Sequence, residues 1–162
     1  MRKTLETISL AGLALIAWIT WQAFNGPNPL PDRIPVHFDA AGNANGWGSP
    51  STLILLPVVA AGIYLLITLI SLLPTRIRSA VKLTAESRAK IDTLTHQMLA
   101  WIKAEMVGLF LCIQWFMLAG IKEGSNRIPA TLPPVFMVLI FATVAWHLVA
   151  VFRAMRTAQS LL

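Results

Sequence analysis

Glu105 and His147 are ionisable residues that border or interrupt long segments without charge. Glu105 precedes the charge-free run 106–121, and His147 lies within the charge-free run 128–152. Counted from the predicted outer ends of their helices, at about 1.5 Å per residue, they lie at similar depths of about 24 Å and about 21 Å. Ionisable residues in membrane helices pair with one another and mark ion or proton pathways. The spacing predicts an intramembrane polar pair. In the alternative, Glu105 lies at the interface beside Lys103, and His147 bonds a backbone carbonyl.

A second polar group lies in the loop between residues 30 and 48. Apolar side chains alternate with His37 and Asp39. This pattern predicts a short strand with apolar side chains on one face and polar side chains on the other. Asn45-Gly46 is typical of a type I′ turn. Two ligands are fewer than the three or four that a zinc site needs. We therefore predict no metal here, and we expect His37 to bond the loop's own backbone and hold its shape.

The same loop carries residues that order a chain. Proline reduces the conformational entropy of the unfolded loop, and glycine permits tight turns. We expect Val36 and Phe38 to pack on the outer ends of the helices. Trp47 is expected at the membrane surface or in contact with a partner. The predicted motif residues are Pro31, Pro35, His37, Phe38, Asp39, Gly42, Asn45, Gly46 and Trp47.

Enzyme signatures are absent from the sequence. It contains no HExxH, GxSxG or P-loop motif, and its one cysteine is Cys112. We therefore predict a protein that is not an enzyme, with no catalytic residues and no cofactor. The chain has thirteen basic residues and seven acidic ones. We assign this positive excess to the flanks of membrane helices, so no nucleic-acid partner is expected.

The elements that position these residues are predicted from the distribution of charge. Only 12% of the 162 residues are charged, against about 25% in soluble domains. About 20 apolar residues cross a bilayer, so we predict an all-α integral membrane protein with one membrane domain over 1–162. The predicted transmembrane helices are about 5–24, 50–73, 101–121 and 132–152. Residues 25–49 form a structured extracytoplasmic loop in this prediction, and 74–100 form a cytoplasmic connector and helix extension.

Basic residues predict the orientation. Ten lie on the side of both termini and three lie on the other side. The side richer in Lys and Arg is cytoplasmic. We therefore expect a multi-pass protein with both termini in the cytoplasm and the 25–49 loop outside.

The loop sequence, from Leu30-Pro31 through Pro35-x-His37-Phe38-Asp39 to Asn45-Gly46-Trp47, precedes a hydrophobic span. It resembles the bacterial membrane family called domain of unknown function 1648, over about residues 5–73. That domain forms the N-terminal part of SdpI-type immunity and signalling proteins. Family members often have Lys near position 50, where this sequence has Pro50. The resemblance implies a protein of the bacterial inner membrane.

Loop and resemblance together predict a non-enzymatic protein whose outer loop binds a peptide, a toxin or a protein partner, in immunity or sensing. Its other expected partners are the lipid bilayer and further copies of itself. The alternative is a small oligomeric transporter or channel subunit that uses Glu105 and His147.

Overall fold

A computed structural model describes residues 1–73 and 84–159. The helices are α1 (Arg2–Asn25), α2 (Leu55–Leu72), α3 (Ala85–Glu123) and α4 (Leu132–Gln159), and the strands are β1 (Ile34–Phe38) and β2 (Ala44–Gly48). A 3-10 turn, Pro50–Ile54, leads directly into α2. Four of these segments are long and apolar enough to cross a membrane. The prediction of a mostly helical chain with four helices of membrane-spanning length is therefore confirmed, and the loop between the first two contains a two-stranded hairpin.

Local sequence explains where the helices begin and end. Ser49 accepts a hydrogen bond from the backbone N–H of Ser51, and Pro50 occupies the first turn, where its missing N–H costs nothing. Thr84 caps α3 by accepting from the N–H of Ser87 at 3.2 Å. Gly124 ends α3 in the left-handed conformation that glycine adopts without strain. With 39 residues, α3 is about 58 Å long, so it extends well beyond a hydrocarbon core of about 30 Å.

Helix α3 is the centre of the bundle. It packs against α1, α2 and α4, whereas α1 and α2 contact each other little and α4 packs mainly on α3. Within the apolar window of α4 only 6% of residues are buried, against 28% for α3. Large apolar side chains of α2 and α4 therefore face outward, as in helices surrounded by lipid.

The core lies along the seam between α1 and α3. One cluster, at the end that carries the hairpin, joins Ile19, Ile34, Leu53, Met117 and Leu118. A second cluster lies deeper and joins Ile16, Ala60 and Val107. Because Ile34 belongs to the first cluster, the hairpin is anchored on the helices by its first residue.

The hairpin pairs β1 with β2 in antiparallel register. Pro35 lies opposite Trp47, His37 opposite Gly46, and Phe38 opposite Ala44, so the register shifts twice. The predicted type I′ turn at Asn45-Gly46 is wrong, because both residues lie within β2. The chain reverses at Asp39–Gly42 instead, where the Gly42 N–H donates to Asp39 O at 2.9 Å. Gly42 has φ 78°, which makes it the turn's glycine.

Candidate functional site

Two connections at the same end of the bundle form one unit, which we call the cap: residues 34–48 and 124–131. The Ile128 N–H donates to Gly42 O at 2.9 Å, and the Ala44 N–H donates to Asn126 O at 3.2 Å. The Asn126 N–H in turn donates to Gly120 O in the last turns of α3, at 3.2 Å. The hairpin is therefore fixed both to the core and to the α3–α4 connection.

Asp39 organises the hairpin turn. One carboxylate oxygen accepts the backbone N–H groups of Ala41 and Asn43, each at 2.9 Å. The Asn43 amide also donates to the carboxylate, at 3.3 Å. These hydrogen bonds, the backbone bond from Asn43 first, lower the pKa of Asp39 below its ordinary value of 3.8. The turn thus stabilises the charged form of Asp39.

The lowered pKa of Asp39 makes the cap sensitive to acid. Because the folded turn favours the carboxylate, its contribution is complete above the ordinary pKa of 3.8 and is lost as the pH falls below that value. We expect the protection of the Ala41 and Asn43 amides, their exchange rate relative to the intrinsic rate at the same pH, to fall on acidification. In Asp39→Asn this protection should already be low near neutral pH and should lose its acid dependence. Asp32→Asn, an exposed change just before the hairpin, should behave as wild type; an equal effect there would contradict this assignment.

His37 is an exposed residue of β1, and its side chain contacts β2. Its Nδ1 is 2.5 Å from Asn45 Oδ1. The expectation that His37 bonds loop backbone is therefore wrong, since its partner is a side chain of β2. This hydrogen bond spans a register shift of the hairpin, where the backbone ladder is irregular.

The burial of β1 does not alternate. Ile34 and Pro35 are buried, Val36 and His37 are exposed, and Phe38 is half-buried against the core. The expectation that Val36 packs on the helices is wrong, because the register shift after Pro35 breaks the two-residue period. Val36 is 41% exposed and Trp47 is 43% exposed. The cap therefore presents apolar side chains that its own packing does not require.

Glu105 and His147 share one neighbour, Thr143 of α4. The Thr143 hydroxyl donates to Glu105 Oε1 at 2.5 Å, and His147 Nδ1 lies 2.8 Å from the Thr143 backbone oxygen. Both residues are thus brought to the α3–α4 interface, but they are not hydrogen-bonded to each other. The reason is local: His147 bonds a backbone oxygen one turn earlier in its own helix. This is the arrangement that the sequence offers as the alternative to the pair.

A polar cluster that sequence reasoning missed joins α1, α2 and α3. Lys103 is 2% exposed and forms an ion pair and hydrogen bond with Glu6. Its Nζ also donates to the Thr68 hydroxyl at 3.3 Å and lies 4.8 Å from the centre of the Tyr64 ring. The Tyr64 hydroxyl donates to the other Glu6 oxygen at 2.9 Å. Lys103 is therefore buried in the protein and paired with Glu6, and it is not an exposed basic residue.

Two buried oxygens in the described part of the chain accept no hydrogen bond: Glu105 Oε2 and Gln114 Oε1. Gln114 uses its other amide atom to donate to the Thr20 hydroxyl at 3.0 Å. No group of three or more His, Cys, Asp or Glu side chains suited to a metal ion occurs among residues 1–73 and 84–159. The polar side chains of α3 thus face different neighbours: Lys103 and Gln114 bond to α1, and Glu105 bonds to α4.

Comparison with protein families identifies part of the chain. Residues 10–61 match the model of the family described as Domain of unknown function (DUF1648). This match covers less than half of the chain, and over that segment the chain is similar to the domain. The DUF1648 segment begins within α1, contains the whole hairpin and ends within α2. The resemblance inferred from the loop residues is therefore confirmed for this segment. No curated protein and no solved structure matches the chain.

Proposed function

We propose that this is a non-enzymatic membrane protein whose cap binds a peptide or protein partner. One observation carries the proposal: the cap is ordered by backbone hydrogen bonds, yet it leaves Val36, His37 and Trp47 exposed. An aromatic side chain on a rigid support is typical of the residues that dominate protein recognition. A connector between two helices needs neither the hairpin nor the second docked loop. Immunity against a toxin, or sensing, is the form of this function that the family resemblance implies.

The proposal places the cap outside the bacterial cytoplasmic membrane and both termini inside. Its support is the excess of basic residues on the side of the termini, although Arg76, Arg78 and Lys82 lie outside the described residues. A cysteine at Asn43 in a Cys112→Ser background should react with a membrane-impermeant thiol reagent in intact spheroplasts. A cysteine at Ser87 should react only after the cells are opened. The reverse pattern would invert the orientation.

Recognition by the cap is tested with a photoreactive amino acid in place of Trp47. In living cells we expect a crosslinked adduct with a discrete peptide or protein. The same probe at Leu69, an exposed residue of α2, should crosslink lipid only. Val36→Ser should weaken the adduct about fivefold, because an exposed anchor contributes about 1 kcal/mol. Equal adducts from both positions would show that the cap has no selective surface.

Transport is the second candidate function. It is favoured by Glu105 Oε2, a buried carboxylate oxygen that accepts no hydrogen bond, because ionisable groups inside membrane helices mark ion or proton pathways. In that function, Glu105→Gln would abolish ion movement into liposomes, and replacement of Trp47 would have no effect. If the cap binds a partner instead, Glu105→Gln should leave partner binding unchanged, and replacement of Trp47 should weaken it. Neither Glu105 nor His147 lines the two cavities that the structure describes at the cap end.

A further inference from the structure

A groove opens at the cap end of the bundle, between α1 and α3. It consists of two adjoining cavities of about 470 Å³ and about 500 Å³. Six residues line both cavities: Gln22, Ala23, Gly26, Pro27, Leu118 and Lys122. Volumes of this size are those of ordinary small-molecule sites.

The sequence after α1 forms the upper wall of this groove. The Gly26 N–H donates to Gln22 O at 2.8 Å, and a Cβ at Gly26 would approach the same oxygen to 2.6 Å. Glycine is therefore required where the chain leaves the helix. The following segment, 27–31, contains three prolines, which lack a backbone N–H, and it runs along the groove.

Two exposed tryptophans form the lower wall of the groove. Trp18 and Trp115 line one cavity, are largely exposed, and lie seven and eight residues from the ends of α1 and α3. At about 1.5 Å per residue this is about 10–12 Å below the helix ends. Tryptophan is typical of the zone where headgroups meet hydrocarbon. The groove therefore crosses that zone, with apolar walls below and polar groups above.

Charge in the groove is concentrated at its upper end. Among the described residues, Lys122 is the one charged residue that lines the cavity beside residues 27–31, whereas the cavity with Trp18 and Trp115 is also lined by Glu123. A cation in the upper cavity, next to an apolar cavity with two tryptophans, complements a molecule with an anionic head and a hydrocarbon tail.

We propose that the groove binds one phospholipid with an anionic headgroup, taken from the leaflet at the cap end. Its phosphate lies at Lys122 and one acyl chain lies between Trp18 and Trp115. The site is independent of the cap's exposed face, because Val36, His37 and Trp47 line neither cavity. A peptide in the groove would be a different occupant, which the experiment below separates.

The test is native mass spectrometry of the full chain in detergent, titrated with phosphatidylglycerol or phosphatidylcholine. The wild type should retain one phosphatidylglycerol in preference to phosphatidylcholine. Lys122→Gln should weaken phosphatidylglycerol binding about fivefold, the effect of one cation near an anionic lipid surface, and leave phosphatidylcholine binding unchanged. Lys90→Gln, an exposed change at the opposite end of α3, is the matched control and should have no effect.

Filling the groove is the second arm. Ala119 lines it and Ala142 is exposed on α4. Ala119→Trp should remove the retained lipid, and Ala142→Trp should not. If Ala119→Trp fails to fold, Trp115→Ala provides the same test by removing one wall. Equal lipid retention in wild type and Lys122→Gln, no preference between the two lipids, or a retained peptide mass in place of a lipid would each overturn the proposal.

Discussion

Replacement of Gly42 by alanine is expected to detach the hairpin from the α3–α4 connection. A Cβ at Gly42 would lie 2.1 Å from the Ile128 backbone oxygen and 3.2 Å from the Ala130 nitrogen. Both neighbours are backbone, so no side chain can rotate away. The φ of 78° adds a cost of about 1–2 kcal/mol for any residue with a Cβ. Relief requires the loss of the Ile128 to Gly42 hydrogen bond, worth about a further 1 kcal/mol.

The measurement for Gly42→Ala is amide exchange at Ile128 and Ala44, with proteolysis of the cap as a second readout. We expect exchange at both amides to accelerate by at least about tenfold, which corresponds to about 1.4 kcal/mol. Gly62→Ala is the control, because a Cβ there meets nothing within 4 Å. That change lies in α2 and should be neutral or slightly stabilising, since alanine favours helix. Unchanged exchange in Gly42→Ala would contradict the docked cap.

Replacement of Lys103 by methionine is expected to destabilise the whole bundle. Removal of one partner of a buried ion pair costs about 3–5 kcal/mol, because the other charge is left unpaired. Here we expect about 3 kcal/mol, the lower end, because the Glu6 side chain is 29% exposed at the surface of the bundle. The measurement is reversible unfolding in mixed lipid–detergent micelles. Lys90→Met, at an exposed position of the same helix, should change the free energy of unfolding by less than about 0.5 kcal/mol.

A double-mutant cycle separates the ion pair from the packing of the lysine stem. Glu6→Gln in the Lys103→Met background should cost little more, because the unpaired charge is then removed. The Tyr64 hydroxyl keeps an acceptor in that variant, because the glutamine amide also carries an oxygen. If the two single changes are instead additive, the pair does not couple α1 to α3, and Lys103 acts only through its contacts with Thr68 and Tyr64.

The spans were predictable because they depend on composition alone. Runs of uncharged residues locate α1, α2 and α4, and capping residues such as Ser49 and Thr84 act through contacts with their immediate sequence neighbours. The DUF1648 resemblance rests on the residues of a single loop and on the hydrophobic span that follows it. The turn predicted within that loop is wrong because two turn sites compete there. Asn45-Gly46 has the composition of a turn, but the side chain of Asp39 stabilises a turn earlier in the loop.

The depth argument that relates Glu105 to His147 also applies to Glu6 and Lys103. Glu6, Thr68 and Lys103 each lie 18 residues from the cap-side ends of their predicted spans, taken as Phe24, Pro50 and Ile121. The sequence hides this pair because a lysine near the end of a predicted span has the position of a surface cation. The docking of Asn126 and Ile128 on the hairpin had no such signal, since it depends on backbone groups that every residue possesses.

The central position of α3 has a consequence for the architecture of the DUF1648 segment. Residues 10–61 do not close on themselves: Ile16 and Ile19 pack with side chains of α3, and the hairpin turn is completed by Ile128. During synthesis, the first two helices emerge before their main packing partner exists. In this chain the segment is thus an incomplete packing unit, which α3 and the α3–α4 connection complete.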